Sequence, residues 1–225
     1  MLYFRCLFVV GDNMVDLEKI FGILKEQYKD SRCALNFENE FQLLIASRLS
    51  AQCKDSMVNK VTPALFNKFP DVHSLSVANV AEIENIIRPC GLFKTKAKNL
   101  KDMCNMIENK FESKIPFGLD NLQKLPGIGR KTANLIMSEI FGVPSVVVDT
   151  HVIRITRRLG IHNHSDALKI EMILRKNLNQ SNWSKFCHCL VSHGREVCNA
   201  KSPKCDVCCL KNYCKFYQER NCVKN

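Results

Sequence analysis

Apolar residues recur at intervals of three and four along most of this chain, which places them on one face of successive α-helices. The first such segment is Val15–Lys29. Its apolar positions are Leu17, Ile20, Phe21, Leu24 and Tyr28. The same spacing predicts further helices over residues 37–52, 55–69, 76–88, 94–111, 120–125, 131–141, 149–159, 166–178 and 182–193. No β-type run exceeds Val146–Val148 and no internal repeat is visible, so the sequence predicts an all-α protein.

Local signals fix some of the predicted helix ends. Ser76 and Ser165 are predicted N-caps, because a short side-chain oxygen can accept from the amides of the first turn. Pro63 is expected to break or restart the helix in which it lies, since proline lacks the backbone donor.

The stretch from Leu125 to His151 carries a proline and two glycines just before an apolar helix. Pro126 ends the preceding helix. Gly127 and Gly129 permit backbone angles closed to other residues and let a partner approach closely. The pattern predicts two helices joined by a tight turn that presents amides at a helix N-terminus. Such a turn binds phosphate without reading sequence.

Lys131 and Asp149 are the candidate chemical groups of this stretch. Lys131 falls in the first helical turn, where the amides and Arg130 disfavour its cation, so it can serve as a neutral nucleophile. Asp149 follows the apolar run Val146–Val148. It has the position of a helix N-cap, and its carboxylate could equally face a cleft.

The charge of +11 and the pI of about 9.1 favour a polyanionic partner, nucleic acid first and an anionic membrane second. No apolar run reaches the roughly 20 residues that span a bilayer. Lys94, Lys98 and Lys101 share one face of the helix over 94–111, and Lys96 lies near them. This face is either simply solvated or a DNA contact.

The 13 cysteines occur without a secretory signal, which indicates reduced thiols in a cytoplasmic setting rather than a disulfide framework. Four of them follow C-x6-C-x2-C-x5-C. They are Cys198, Cys205, Cys208 and Cys214. Four thiolates at such spacings can hold zinc or a [4Fe–4S] cluster, and spacing alone does not choose. Cys209 could replace Cys208 as a ligand.

The motif LPGIGRKTAN followed by VDTH resembles the endonuclease III family of helix-hairpin-helix DNA glycosylases. The resemblance runs from about Val15 to Phe216. It implies a base excision repair enzyme that removes oxidised pyrimidines from double-stranded DNA and also acts on abasic sites. Lys131 would attack C1′ to form a Schiff base, elimination would cut the strand, and Asp149 would assist.

The resemblance also implies the architecture. Residues 37–142 would form a central helical lobe that contains the hairpin at about 120–142. Residues 14–36 and 143–225 would form a second lobe with a cysteine loop at 198–214, and DNA would lie in a cleft between the lobes. Residues 1–13 match nothing in the family. Met14 is a hypothetical natural start, and the competing interpretation of residues 1–13 is a short targeting segment. A monomer that associates with the bacterial nucleoid through DNA is expected, without a membrane partner.

For the cysteines, the resemblance implies a structural [4Fe–4S] cluster with Cys208 rather than Cys209 as ligand. The loop between the first two ligands carries Lys201 and Lys204. These lysines, with Arg195, are candidate phosphate contacts or incidental charges beside a metal staple.

Two further residues match positions that enter DNA in the family. Gln52 would hydrogen-bond the base left without its partner, and Leu92 would wedge between bases. His151 is a candidate for orienting a group near Asp149, although a lone histidine is more often structural. Ser47–Arg48 departs from the family, whose helix is commonly apolar there. Either Arg48 reaches a carboxylate or the surface, or the helix is rotated.

Other readings make different demands on these positions. An adenine-specific mismatch glycosylase would carry glutamate where Ser47 stands and would lack Lys131, and a monofunctional thymine-mismatch enzyme would also lack that lysine. A non-catalytic helix-hairpin-helix module would need neither Lys131 nor Asp149. A redox protein built on the cluster would not need the hairpin.

Overall fold

The computed structural model describes residues 15–222, which divide into two compact units. One unit is Cys33–Val143, and the other combines the described residues up to Arg32 with those from Pro144 onwards. The predicted central lobe was residues 37–142, and the corresponding unit of the structure is Cys33–Val143. The predicted leader over residues 1–13 and the hypothetical start at Met14 lie outside the described residues.

Between residues 15 and 222 the chain forms twelve α-helices and no strand, which confirms the all-α prediction. The helices are α1 Leu17–Gln27, α2 Glu40–Leu49, α3 Asp55–Lys68, α4 Val72–Val77, α5 Val80–Ile87, α6 Phe93–Phe111, α7 Leu119–Lys124, α8 Arg130–Glu139, α9 Thr150–Leu159, α10 Ala167–Asn177, α11 Trp183–Glu196 and α12 Lys215–Cys222. Short 3-10 turns occupy Arg88–Cys90, Gln180–Asn182, Cys205–Val207 and Lys211–Tyr213.

The unit Cys33–Val143 is built around α2 and α6. Helix α2 is apolar on nearly every side and packs against α3, α6 and α8, while α6 packs against α4 and α5. The α2 side chains that are fully removed from solvent are Leu43, Leu44, Ile45, Ala46 and Leu49. Each large apolar side chain contributes roughly 1.5–3 kcal/mol on burial. This packing fixes the hairpin helix α8 on a rigid support.

The other unit packs α1 and α9 against α11. Helix α9 is strongly two-sided, because Val152, Ile155 and Leu159 are buried while Arg154 and Arg158 lie on its polar flank. The apolar face therefore fixes where the two arginines point.

Two predicted helix caps are wrong. Ser76 lies inside α4, where its hydroxyl donates to Glu108, and the cap of α5 is Asn79. Helix α10 is capped by Asp166, one residue after the predicted Ser165. In both places a neighbouring Asn or Asp occupies the extended backbone position from which a side-chain oxygen reaches the first-turn amides.

Pro63 does not break its helix, contrary to expectation, because α3 runs without interruption from Asp55 to Lys68. A proline inside a helix costs about 3 kcal/mol. The buried side chains of Val58, Val61 and Leu65 hold α3 against the core and offset that cost. No helix in the described range is both long and apolar enough to cross a membrane.

Candidate active site and cysteine loop

The predicted hairpin is present as α7, a tight turn and α8. Helix α7 ends at Lys124, and Leu125, the residue before Pro126, adopts an extended backbone. The amide of Ile128 donates to the Leu125 carbonyl at 3.1 Å, and the buried Ile128 side chain anchors the turn. Helix α8 then begins at Arg130.

The two hairpin glycines serve different purposes. Gly127 has φ 79°, in the left-handed region that favours glycine, as predicted. Gly129 has φ −95° and ψ 176°, an extended conformation open to any residue, so the prediction of special angles is wrong there. A Cβ added to Gly129 would meet nothing within 4 Å. What Gly129 provides is open space beside the first amides of α8.

Arg48 lies behind the hairpin turn. Its Nε and Cδ would stand 2.2 Å and 2.8 Å from a Cβ on Gly127. One terminal guanidinium nitrogen donates to the side-chain oxygen of Asn99 at 2.8 Å when the Asn99 amide is oriented to satisfy its hydrogen bonds. Burial lowers the pKa of Arg48. The guanidinium packs against the turn and bonds to Asn99 rather than to a carboxylate, while the residue as a whole stays partly exposed.

Lys131 is exposed in the first turn of α8. The amides of this turn have no carbonyl partner within the helix, and they carry the positive end of the helix dipole. Arg130, next to it, is partly buried and has a partner within the protein. The hairpin thus carries an exposed amine in the first turn of a helix.

Asp149 is the N-cap of α9, as its position predicted. Its backbone is extended, and Oδ1 accepts from the amide of Val152 at 2.8 Å. His151, in the first turn, packs against Gly194 of α11, and its Nδ1 lies 3.0 Å from the Arg154 guanidinium. One edge of this imidazole is therefore engaged within the protein.

Gln52 and Leu92 lie in two exposed loops with unusual backbones. Gln52 has φ 54°, and Leu92 has φ 47° and ψ 30°, so both adopt the left-handed conformation that non-glycine residues avoid. Leu92 leaves 60% of its surface in solvent. Strained backbone positions of this kind cluster at functional sites, although they also occur at helix ends such as Glu112.

The four predicted ligand cysteines line one cavity. The lining includes Cys198, Cys205, Cys208 and Cys214, whereas Cys209 lies outside it. Burial raises the pKa of Cys208 to about 11. No three donor side chains of the described residues converge to hold a single metal ion. In a [4Fe–4S] cluster each thiolate binds a different iron, so four thiols surrounding a cavity suit that group.

Three side chains that the sequence reasoning missed hold the cysteine loop. Arg158 donates to the Cys198 sulfur at 3.2 Å, and Arg154 donates to the Cys198 carbonyl at 3.1 Å. The buried His193 places Nε2 3.5 Å from the Cys208 sulfur. The spacing of four between Arg154 and Arg158 on a two-sided helix was a signal that could have found this pair.

The candidate phosphate contacts are exposed. Lys201 and Lys204 protrude from the cysteine loop, and Arg195 lies near the end of α11. On α6, in contrast, Lys101 donates to the Ala78 carbonyl at 2.8 Å, and Lys96 is buried. The expected lysine face of α6 is thus only partly available to a partner.

Comparison with known proteins decides the family. Residues 45–180 match the family described as HhH-GPD superfamily base excision DNA repair protein. Endonuclease III of Synechocystis sp. is 42% identical over 197 residues, which cover 87% of this chain and 90% of that protein. Endonuclease III of Bacillus subtilis is 38% identical over 93% of this chain and 96% of the relative. The chain belongs to the endonuclease III family.

Solved endonuclease III structures share this fold. A non-covalent endonuclease III–DNA complex superposes with a TM-score of 0.88 at 40% identity, covering 91% of this chain and 96% of that one. A trapped endonuclease III–DNA covalent intermediate gives the same TM-score and identity. These matches confirm the family resemblance inferred from the hairpin motif.

Within this endonuclease III family member, the structure groups the predicted residues into local sets. Gly127, Gly129, Arg130 and Lys131 share the hairpin, and the four cysteines share one cavity. Asp149 and His151 share the start of α9. Lys131 and Asp149 belong to different units of the fold.

Proposed function

We propose that this base excision repair DNA glycosylase and abasic-site lyase removes oxidised pyrimidines from duplex DNA through a Schiff base on Lys131. The observation that carries the proposal is the exposed amine of Lys131 in the first turn of the second hairpin helix. It is supported by 40% identity to an endonuclease III trapped covalently on DNA. A simple DNA-binding module would need the hairpin but not an amine positioned for attack.

In the proposed chemistry, the unprotonated Nζ of Lys131 attacks C1′ of the damaged nucleotide. The bond from C1′ to the base breaks, and the base leaves with the electron pair and takes up a proton. Ring opening gives a Schiff base between Nζ and C1′. Loss of a proton from C2′ then expels the 3′ phosphate and cuts the strand. Asp149 stabilises the positive charge that develops on the sugar, or carries one of these protons.

Binding must first expose the nucleotide. We propose that the amides beside Gly127 and Gly129 hold the DNA backbone, because free N–H groups at a helix N-terminus bind phosphate. Arg130, Arg195, Lys201 and Lys204 would add phosphate contacts, and His151 would support Asp149. Phosphate contacts do not depend on the base sequence of the DNA, which suits an enzyme that searches DNA for damage.

Extrusion of a nucleotide costs a few kcal/mol of lost stacking. We propose that Leu92 fills the space left in the duplex and that Gln52 hydrogen-bonds the base that has lost its partner. Both side chains are exposed and stand on loops of the same unit. The proposal also requires Asp149 to act on the same nucleotide as Lys131.

We further propose that Cys198, Cys205, Cys208 and Cys214 hold a [4Fe–4S] cluster. When bound, the cluster would cross-link the loop over residues 198–214, and its ligands leave no open position for substrate. The contacts of Arg158 and His193 with two of the sulfurs would steady those ligands. Because Lys201 and Lys204 lie in this loop, the cluster would also fix their positions for binding DNA phosphates.

The test is a duplex oligonucleotide with one thymine glycol, on which base release and strand cleavage are measured separately. Wild type is expected to do both, and Lys131→Ala to do neither. Lys124→Ala is the matched control, since Lys124 is an exposed lysine at the other side of the hairpin. Base release without cleavage by wild type would indicate a monofunctional glycosylase, and binding without either product would indicate a non-catalytic module.

A further inference from the structure

Lys96 is a buried lysine whose ammonium group connects two separate segments of one unit. Its residue surface is 1% exposed. Nζ donates to the carbonyl of Leu49 at 2.8 Å and to the carbonyl of Cys90 at 2.8 Å. Lysine is almost never fully buried unless its charge is paired, and here the pairing is with two backbone carbonyls.

The two carbonyls stand directly before the two exposed loops. Leu49 is the last residue of α2, three residues before Gln52. Cys90 ends the 3-10 turn, two residues before Leu92. Carbonyls at the end of a helix lack an intrahelical donor and carry the negative end of its dipole, so a cation there is favourable. One ammonium group therefore donates a hydrogen bond to a carbonyl of each segment and holds the two segments at a fixed separation.

Both loops contain a residue in the left-handed conformation. Among residues 15–222 the non-glycine residues with positive φ are Gln52, Leu92, Glu112 and Ser113. Two of these, Gln52 and Leu92, lie shortly after the carbonyls that Lys96 binds. A strained conformation persists only where the surrounding structure determines it, and the contacts of Lys96 fix the backbone where each loop begins.

We propose that Lys96 is a positioning residue that sets Gln52 and Leu92 in register, so that both side chains enter the duplex together. This inference rests on the proposed function, because it assigns Lys96 a role in the extrusion step that precedes attack by Lys131. Lys96 itself touches neither DNA nor the reacting atoms. Its loss is expected to impair catalysis only where a nucleotide must be extruded.

Lys96→Met removes the cation and keeps an unbranched side chain that is one heavy atom shorter. Lys101→Met is the matched control, because Lys101 lies on the same helix and its Nζ donates to a single carbonyl, that of Ala78. Each variant is assayed on two DNAs. The first is a duplex with one thymine glycol, where extrusion is required. The second is a single-stranded oligonucleotide with an abasic site, where the sugar is already accessible to Lys131.

For Lys96→Met we expect kcat/KM on the duplex to fall about 100-fold, the effect of a misplacement of about 1 Å. Borohydride trapping on the single strand should keep the wild-type rate. Lys101→Met should resemble wild type on both. If Lys96→Met is too unstable to purify, Lys96→Arg keeps the charge with altered donor geometry and should show a smaller loss confined to the duplex.

Equal losses on the two DNAs would overturn the inference, because they would mean a general structural role. Wild-type activity of Lys96→Met on the duplex would overturn it as well. A wild-type protein that reacts with neither DNA would instead overturn the proposed function, and the inference with it.

Discussion

Replacing Asp149 by asparagine or by alanine separates its structural role from its proposed chemical role. Asparagine keeps an oxygen that can accept from the Val152 amide, a bond of 2.8 Å in the native protein. Alanine removes both that acceptor and the carboxylate. The two variants should therefore differ in stability and agree in activity.

The stability difference follows from the cap. Asn and Asp are equally good N-caps, whereas Ala in place of a capping residue costs about 1 kcal/mol. Either variant also loses about 0.5 kcal/mol of attraction between the carboxylate and the dipole of α9. In a chain of this size 1 kcal/mol moves Tm by about 2–4 °C. We expect Tm to fall by about 1–2 °C in Asp149→Asn and about 3–6 °C in Asp149→Ala.

The activity loss follows from the charge. A positioned acid–base group contributes about 10²–10⁴ in rate. We expect single-turnover base release to fall by at least about 100-fold in both variants, with Tm followed by far-UV circular dichroism. Asp166→Ala is the control, because Asp166 caps α10 through the amides of Leu168 and Lys169. It should lower Tm and leave the rate of base release unchanged.

Asp149→Asn with the wild-type rate would refute the chemical role, whatever its Tm. If Asp149→Ala then lost activity only in proportion to its stability, Asp149 would be a helix cap and nothing more. A loss confined to strand cleavage, with base release intact, would move the role of the carboxylate to the elimination step.

Three further tests address other parts of the account. Gly127→Ala should lower the unfolding free energy by about 1–3 kcal/mol, because φ at Gly127 is 79°. Gly129→Ala should lower it less, because an added Cβ there meets nothing within 4 Å. Chemical denaturation of the two variants measures the difference. Cys208→Ser should abolish the iron content and visible absorbance of the purified protein, while Cys209→Ser keeps both; equal loss in the two variants would contradict the ligand assignment. Burial lowers the pKa of His162 to about 4, below the unfolded value of 6.5. Its stabilising contribution, about 3 kcal/mol, is therefore complete above pH 6.5 and is lost as pH falls towards 4, a dependence that His162→Gln should flatten in denaturation measured against pH.

The parts of the site that the sequence predicts are those set by neighbouring residues. Pro126 and Gly127 define the hairpin because each acts on its own backbone, and the cap at Asp149 needs only the helix that follows. The four cysteines that line one cavity were predicted to lie together for the same reason, since their spacing confines them to one short loop. The misplacement of the cap at Ser76 shows the limit, because several polar residues compete within one turn.

The parts that the sequence does not predict depend on distant contacts. Lys96 lies among exposed lysines in the sequence, yet it is buried. One of its two carbonyl partners lies 47 residues away along the chain, so no local pattern predicts the contact. Arg48 interrupts an apolar helix, and only the folded position of Gly127 shows where its guanidinium goes. In both cases a charge in an unexpected place marked a buried contact whose partner no local pattern could identify.

The most direct test of the central claim is to identify the residue that becomes covalently attached to DNA. The protein is incubated with a duplex that carries one thymine glycol, in the presence of borohydride, which reduces a Schiff base to a stable amine. Proteolysis and mass spectrometry then locate the adduct. The account predicts a single adduct on Lys131 that is absent from Lys131→Ala and retained by Lys124→Ala. An adduct on another amine, or base release without any adduct, would contradict it.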